Sequence, residues 1–263
     1  MAPFTHLSEL TLRLRIQQFL TYAGLITVAA VGWYALIETE SAMRVMRGDG
    51  IFVELMWMMM TPGDVLRYLG ATIVMWVVMM IAMMVPAVLP MLVVFRKLDR
   101  GATTEFDTAF FAFGYLSAWS LFSVVAAGLQ WILHDAGWLG GDLLAMRPYA
   151  AASVLILAGA YQLTPLKESC LKKCRSPMGF FLANWRKGRR GAITMGLHHG
   201  LFCIGCCWVL MLIMFAGGAM SVLTMALLSA FILAERVLPP GPWVTPIPGF
   251  ALMGFGVYVA AVA

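Results

Sequence analysis

The sequence predicts an all-α integral membrane bundle of about seven transmembrane helices, with the N-terminus cytoplasmic and the C-terminus extracytoplasmic. Three observations point there. Of the 263 residues, 62% are hydrophobic and only 12% charged, whereas a soluble domain carries about 25% charged residues. Apolar runs of roughly 20 residues recur along the chain, the length a helix needs to cross the hydrocarbon core. The strict apolar–polar alternation of an outer-membrane barrel is absent from the sequence.

The spans follow in order. The first is expected over residues 17–37, behind Arg13 and Arg15, and reads as a retained signal anchor because it is too long for a cleavable h-region. An extramembrane segment then holds Glu38, Glu40, Asp49 and the amphipathic stretch 51–60. The second span, 65–95, is unusually long and is expected to break near Pro86 and Pro90. The third covers 108–133, with Glu105 and Asp107 preceding or capping it, and the fourth covers 148–166. A basic loop leads to the fifth, 192–215. Gly217-Gly218 turns the chain into the sixth, 220–238, and Pro239-Pro240-Gly241-Pro242 separates it from the last, 246–263. No internal repeat stands out. The expected organisation is one membrane domain, in which residues 1–64 form an anchor helix with an extracytoplasmic segment and 65–263 form a helical core.

Basic residues set the orientation, since lysine and arginine concentrate on the cytoplasmic side. With the N-terminus inside and seven spans, fourteen of the eighteen lysines and arginines are cytoplasmic; Arg44, Arg47, Arg67 and Arg147 are the remainder. A wrong span count would scramble that bias. The net charge of +5 is modest and gathered in one loop, so it bears on lipid and topology and not on nucleic acid.

The residues able to carry chemistry gather in the fifth span. Met195, His199, Cys203 and either Cys206 or Cys207 fall on one helical face, at i,i+3 and i,i+4 spacings. Thiolate and imidazole ligands favour Cu(I) or Zn(II), and methionine favours Cu(I). The bland alternative is three thiols packed as small hydrophobes and a histidine bonded to a neighbouring helix. Gly196, Gly200 and Gly205 mark this helix as closely packed. In the second span, Met75, Met79 and Met83 form one stripe and Met80 and Met84 another. These read either as packing or as a thioether ladder for Cu(I). Met56, Met58, Met59 and Met60 could collect Cu(I) outside, or could belong to a greasy interfacial helix.

Cys170 and Cys174 make a Cys-x3-Cys pair in the largest cytoplasmic loop, among lysines and arginines expected to favour thiolates. Such a pair binds Cu(I) linearly or forms a redox couple. The stretch 180–190 is expected on the inner leaflet. Gln162 is expected to bond between helices, Glu235 to pair with Arg236, and His134 and Asp135 to face water. No phosphate loop, Gly-x-Ser-x-Gly or His-Glu-x-x-His occurs.

Six blocks together resemble a family of bacterial membrane proteins: Met79-Met-Ile-Ala-Met-Met-Val-Pro86, Phe113-Gly-Tyr-Leu-Ser-Ala-Trp119, Gly159-Ala-Tyr-Gln-Leu-Thr-Pro-Leu-Lys167, Cys170-Leu-Lys-Lys-Cys-Arg-Ser-Pro177, His199-Gly-Leu-Phe-Cys-Ile-Gly-Cys-Cys-Trp208 and Glu235-Arg236. The family is that of predicted metal-binding integral membrane proteins, some described as copper chaperones for polyphenol oxidase maturation. The resemblance covers roughly residues 70–255 and leaves out the first 65. It implies metal binding and copper delivery, in the bacterial inner membrane. Family members often carry Lys where Arg236 stands and a base where His198 stands, which favours His199 as the family-like ligand.

The expectation is therefore a copper-handling protein and not an enzyme. Cu(I), with zinc as the second choice, would be held among His199, Cys203, Cys206, Cys207, Met79 and Met83, with Cys170 and Cys174 as further ligands. It would pass by ligand exchange to a copper-dependent enzyme or membrane complex. The rivals are an accessory structural subunit of a larger membrane complex and a membrane thiol oxidoreductase. Strain in a vicinal Cys206–Cys207 disulfide counts against the latter.

Overall fold

Hydrocarbon offers no partner for a backbone amide, so a chain this apolar satisfies its peptide groups within helices. The computed structural model describes residues 3–45, 51–98, 107–141, 143–238 and 243–263, and these form ten helices and one minimal hairpin. The helices are α1 (Pro3–Val45), α2 (Ile51–Met60), α3 (Val65–Leu98), α4 (Asp107–Asp135), α5 (Pro148–Gln162), α6 (Pro165–Arg175), α7 (Pro177–Asn184), α8 (Gly188–Gly217), α9 (Val222–Val237) and α10 (Pro246–Val262). Strands β1 (Leu139–Gly140) and β2 (Ala145–Met146) pair antiparallel between α4 and α5.

A helix lies at each of the seven expected positions, but they differ in reach. Four stretches are long and apolar enough to cross a membrane: Phe19–Arg44 within α1, α3, α4 and α8. The pair α5 and α6 makes a fifth if taken as one span, bent by 66° at its break. The 16 residues of α9 and the 17 of α10 reach only about 25 Å at 1.5 Å per residue. Apolar side chains such as Leu121 (66% exposed) and Val125 (67%) line the outside of α4, as lipid contact requires and water would penalise.

The bundle is assembled through small residues. On α8, Gly196 lies directly against the Phe111 carbonyl and the Tyr115 amide of α4, and Gly200 meets Ala118. On α4, Gly114 lies against the Ile193 carbonyl. No side chain fits between these backbones, so α4 and α8 cross in near contact. Gly159 and Gly249 bring α5 and α10 together in the same way.

The second expected span does not break. Helix α3 runs through both Pro86 and Pro90, and a neighbouring helix answers the carbonyl that Pro86 frees. Pro86 has no N–H, so the Ala82 carbonyl loses its helical donor; Trp33 Nε1 of α1 donates to it at 3.2 Å. One residue on, Ser229 of α9 donates to the Met83 carbonyl at 3.4 Å.

The methionines expected as packing or ladder are buried: Met75, Met79, Met80, Met83 and Met84 are each at most 3% exposed. In α2, Met56 and Met59 are fully buried, whereas Trp57 is exposed. Gly218, at φ +98°, ends α8, and Ser221 caps α9 through the Thr224 amide. His134 does not simply face water: its Nδ1 lies 3.1 Å from the Tyr68 hydroxyl, which accepts from Gln130 at 3.4 Å. Gln162 is buried, and neither amide atom has a partner among the described residues. Asp107 is the first residue of α4 and is buried; Glu105 and Asp49 lie outside the described residues.

Candidate metal centre

The site begins with the bend. Thr164-Pro165 is a helix-start signature: the Thr164 hydroxyl accepts from the Lys167 amide at 3.3 Å, and proline takes the first helical position, where an N–H has no partner anyway. Helix α6 therefore leaves α5 at an angle and folds back on α8, where Cys170 Sγ lies against Gly205. The segment between the fourth and fifth expected spans is thus itself helical where it holds the cysteine pair. Cys170 and Cys174 sit one turn apart on a packed helix, Cys170 half-buried and Cys174 buried.

The fold-back brings thiols from two helices together. Cys206 of α8 faces Cys174 of α6 as well as Cys203 and Cys207 of its own helix. Both Cys206 Sγ (3.1 Å) and Cys207 Sγ (2.8 Å) donate to the Cys203 carbonyl. All three α8 thiols are at most 3% exposed, and all five cysteines of the chain are free. One turn before Cys203, His199 is 1% exposed and its Nδ1 has no hydrogen-bond partner among the described residues. Its ring stacks on Tyr115 (centroids 5.6 Å apart) and meets the edge of Phe180 (5.3 Å). Among the described residues no three His, Cys, Asp or Glu side chains stand in a finished metal-ligating arrangement. The donors are neighbours, not a closed cage.

The charges are arranged differently from expectation. Lys172 pairs with Glu168 at 3.8 Å on the surface, and Lys173 Nζ sits 3.8 Å above the Phe202 ring. Lys167 is fully buried and donates to both Glu235 oxygens, at 2.8 and 2.9 Å. Glu235 therefore pairs with Lys167 and not with Arg236. The Arg175 Nε donates to the Glu235 carbonyl. Freed from that pairing, Arg236 turns inward: Nη1 donates to the Ala87 carbonyl (3.1 Å) and the Tyr115 hydroxyl (3.4 Å), and Nη2 donates to Cys203 Sγ. The Tyr115 hydroxyl itself lies 3.1 Å from Cys203 Sγ. The cation beside the thiols thus comes from α9, not from the lysines of the Cys-x3-Cys segment.

Four helices converge here: α4 gives Tyr115, α6 Cys174, α8 His199 and its three thiols, and α9 Arg236. Helix α3 contributes its Ala87 carbonyl. Met79 and Met83 lie on the same i,i+4 row of α3 as Ala87, two turns and one turn before it. They share the core with the thiols, but no described hydrogen bond joins them to the cysteines. Tyr115 lies in the block Phe113-Gly-Tyr, but nothing in its spacing alone marks it as a partner of the thiols.

The donor set is soft sulfur and imidazole, free of carboxylate apart from the occupied Glu235, and it suits a soft ion of low charge. A family model described as a copper chaperone, PpoB2, matches residues 73–259, well over half of the chain. The chain belongs to the PpoB2 copper chaperone family. The matched region runs from within α3 into α10, so every residue just described as meeting at the thiols lies within it. Helices α1 and α2 and the first eight residues of α3 precede it. Comparison with curated proteins and with solved structures finds no match.

Proposed function

We propose that this chain holds Cu(I) within the membrane at Cys203, Cys206 and Cys207 of α8, with His199 and Cys174 completing the donor set, and hands it to a copper-dependent enzyme by ligand exchange. The observation that carries this reading is the meeting of Cys174 with the α8 thiols beside a buried imidazole nitrogen that has no partner among the described residues. An unpartnered buried polar atom is costly and calls for a ligand. Cu(I) is preferred to zinc because the surrounding donors are thiols and thioethers with no available carboxylate. Cys170, half-buried in the middle of α6, and the Met79–Met83 row of α3 are read as exchange positions from which the ion passes to and from the centre. Passing an ion between ligands requires no catalysis.

The setting in this reading is a bacterial inner membrane crossed seven times, with the N-terminus in the cytoplasm. The fourteen-to-four division of basic residues and the apolar outer faces support it. The shorter α9 and α10 then need the membrane thinned or their ends anchored at the interface.

The test is metal content. Wild-type protein purified in detergent under reducing conditions should retain copper, and C203S/C206S should lose it while keeping its helical circular dichroism. Equal copper in the two proteins, by mass spectrometry of metals, would falsify the site. Zinc in place of copper in the wild type would overturn the choice of ion.

A further inference from the structure

We propose that Arg236 is the built-in counter-charge of the loaded centre, and that it biases a two-sulfur site toward a monovalent ion. The inference deepens the copper-site reading and rests on it. Arg236 is 8% exposed, and a guanidinium keeps its charge in any protein setting. Among the described residues it makes no ion pair: the adjacent acid, Glu235, gives both oxygens to Lys167. A buried cation without an anion is strongly disfavoured, yet three helices aim polar atoms at this one, the Ala87 carbonyl, the Tyr115 hydroxyl and Cys203 Sγ. Of the three, only the sulfur becomes an anion when it takes a metal.

The charge count then decides the ion. When Cu(I) takes Cys203 and Cys206 as its two thiolates, the other thiols of the site staying protonated as neutral donors, two S–Cu bonds form and two thiol protons leave for the solvent. The product, a Cu(I) dithiolate, carries one negative charge, and Arg236 cancels it in an apolar interior where imbalance is heavily penalised. A divalent ion on the same two sulfurs forms a neutral complex and leaves the arginine uncompensated. Zn(II) needs a third thiolate to reach the same balance.

The test compares wild type, R236K and R236M as purified full-length proteins, each checked for folding by thermal unfolding without metal. Cu(I) affinity is read by anaerobic competition with bicinchoninate, and Zn(II) affinity by competition with a chromophoric chelator. R236M should bind Cu(I) at least about tenfold more weakly, a conservative value for a contact charge in a low dielectric. It should bind Zn(II) as well as wild type or better, whereas general damage would weaken both. R236K, which keeps the charge but not the fork, should stay within about fivefold of wild type for Cu(I). Equal Cu(I) affinity in wild type and R236M, or parallel loss of both metals, overturns the role of Arg236 and leaves the copper site standing. A wild type that retains no Cu(I) overturns the site itself. If R236M does not fold, R236Q takes its place; if neither neutral variant folds, Arg236 is a structural cation and the proposal fails.

Discussion

At the scale of single residues, the chain buries two cations, Lys167 and Arg236, and treats them differently. Lys167 has a full carboxylate partner, held through both oxygens in a site closed to water. Removing one member of such a pair strands the other, at a cost of about 3–5 kcal/mol, whereas replacing both with apolar residues is often neutral. K167M should therefore lower the stability of the purified protein markedly, and K167M/E235M should recover most of it. Chemical denaturation in detergent reads the difference; a double variant no better than the single would show that the pair is not self-contained. The expected Glu235–Arg236 pair failed for a geometric reason visible in the sequence. Neighbours i and i+1 on a helix point about 100° apart and do not face each other. An arginine within an apolar segment deserved a partner from another helix.

At the scale of elements, the contact of α4 with α8 sets the distance from Tyr115 to Cys203 and His199. A methyl group at Gly196 would strike the α4 backbone at Phe111, whereas one at Gly128, on the same α4, meets nothing within 4 Å. Overpacking costs about 1–3 kcal/mol. G196A should thus lower the melting temperature and weaken copper retention, and G128A should leave both near wild type. Identical behaviour of the two variants would mean that the helices separate without consequence. The α8 ligands were legible in the sequence because i,i+3 and i,i+4 spacing alone puts them on one side of a helix. The convergence of Cys174 was not, because it depends on the bend after α5. Its local cause, Thr164 followed by Pro165, was in plain view, but apolarity continuing to Leu166 masked the boundary.

At the scale of the whole molecule, all seven apolar runs became helices, since hydrophobic length is the strongest signal a membrane chain carries. What length alone leaves open is how many of them cross. Reporter fusions decide this by parity. With seven crossings and a cytoplasmic N-terminus, alkaline phosphatase fused after Ala263 should be active, and the same enzyme fused after Arg186 should be inactive. Inactivity at both positions would require an even number of crossings and would move the C-terminus inside.

Pro86 and Trp33 are a matched pair across two helices. Restoring an amide at position 86 would return the helical donor to the Ala82 oxygen, whose two lone pairs can hold the indole as well. Deleting the indole alone strands the oxygen instead. Helix α1, which lies wholly before the family-matched region, is thus tied to the core in one direction: Trp33 can be lost without stranding the Ala82 oxygen only if Pro86 gives way to a residue with an amide.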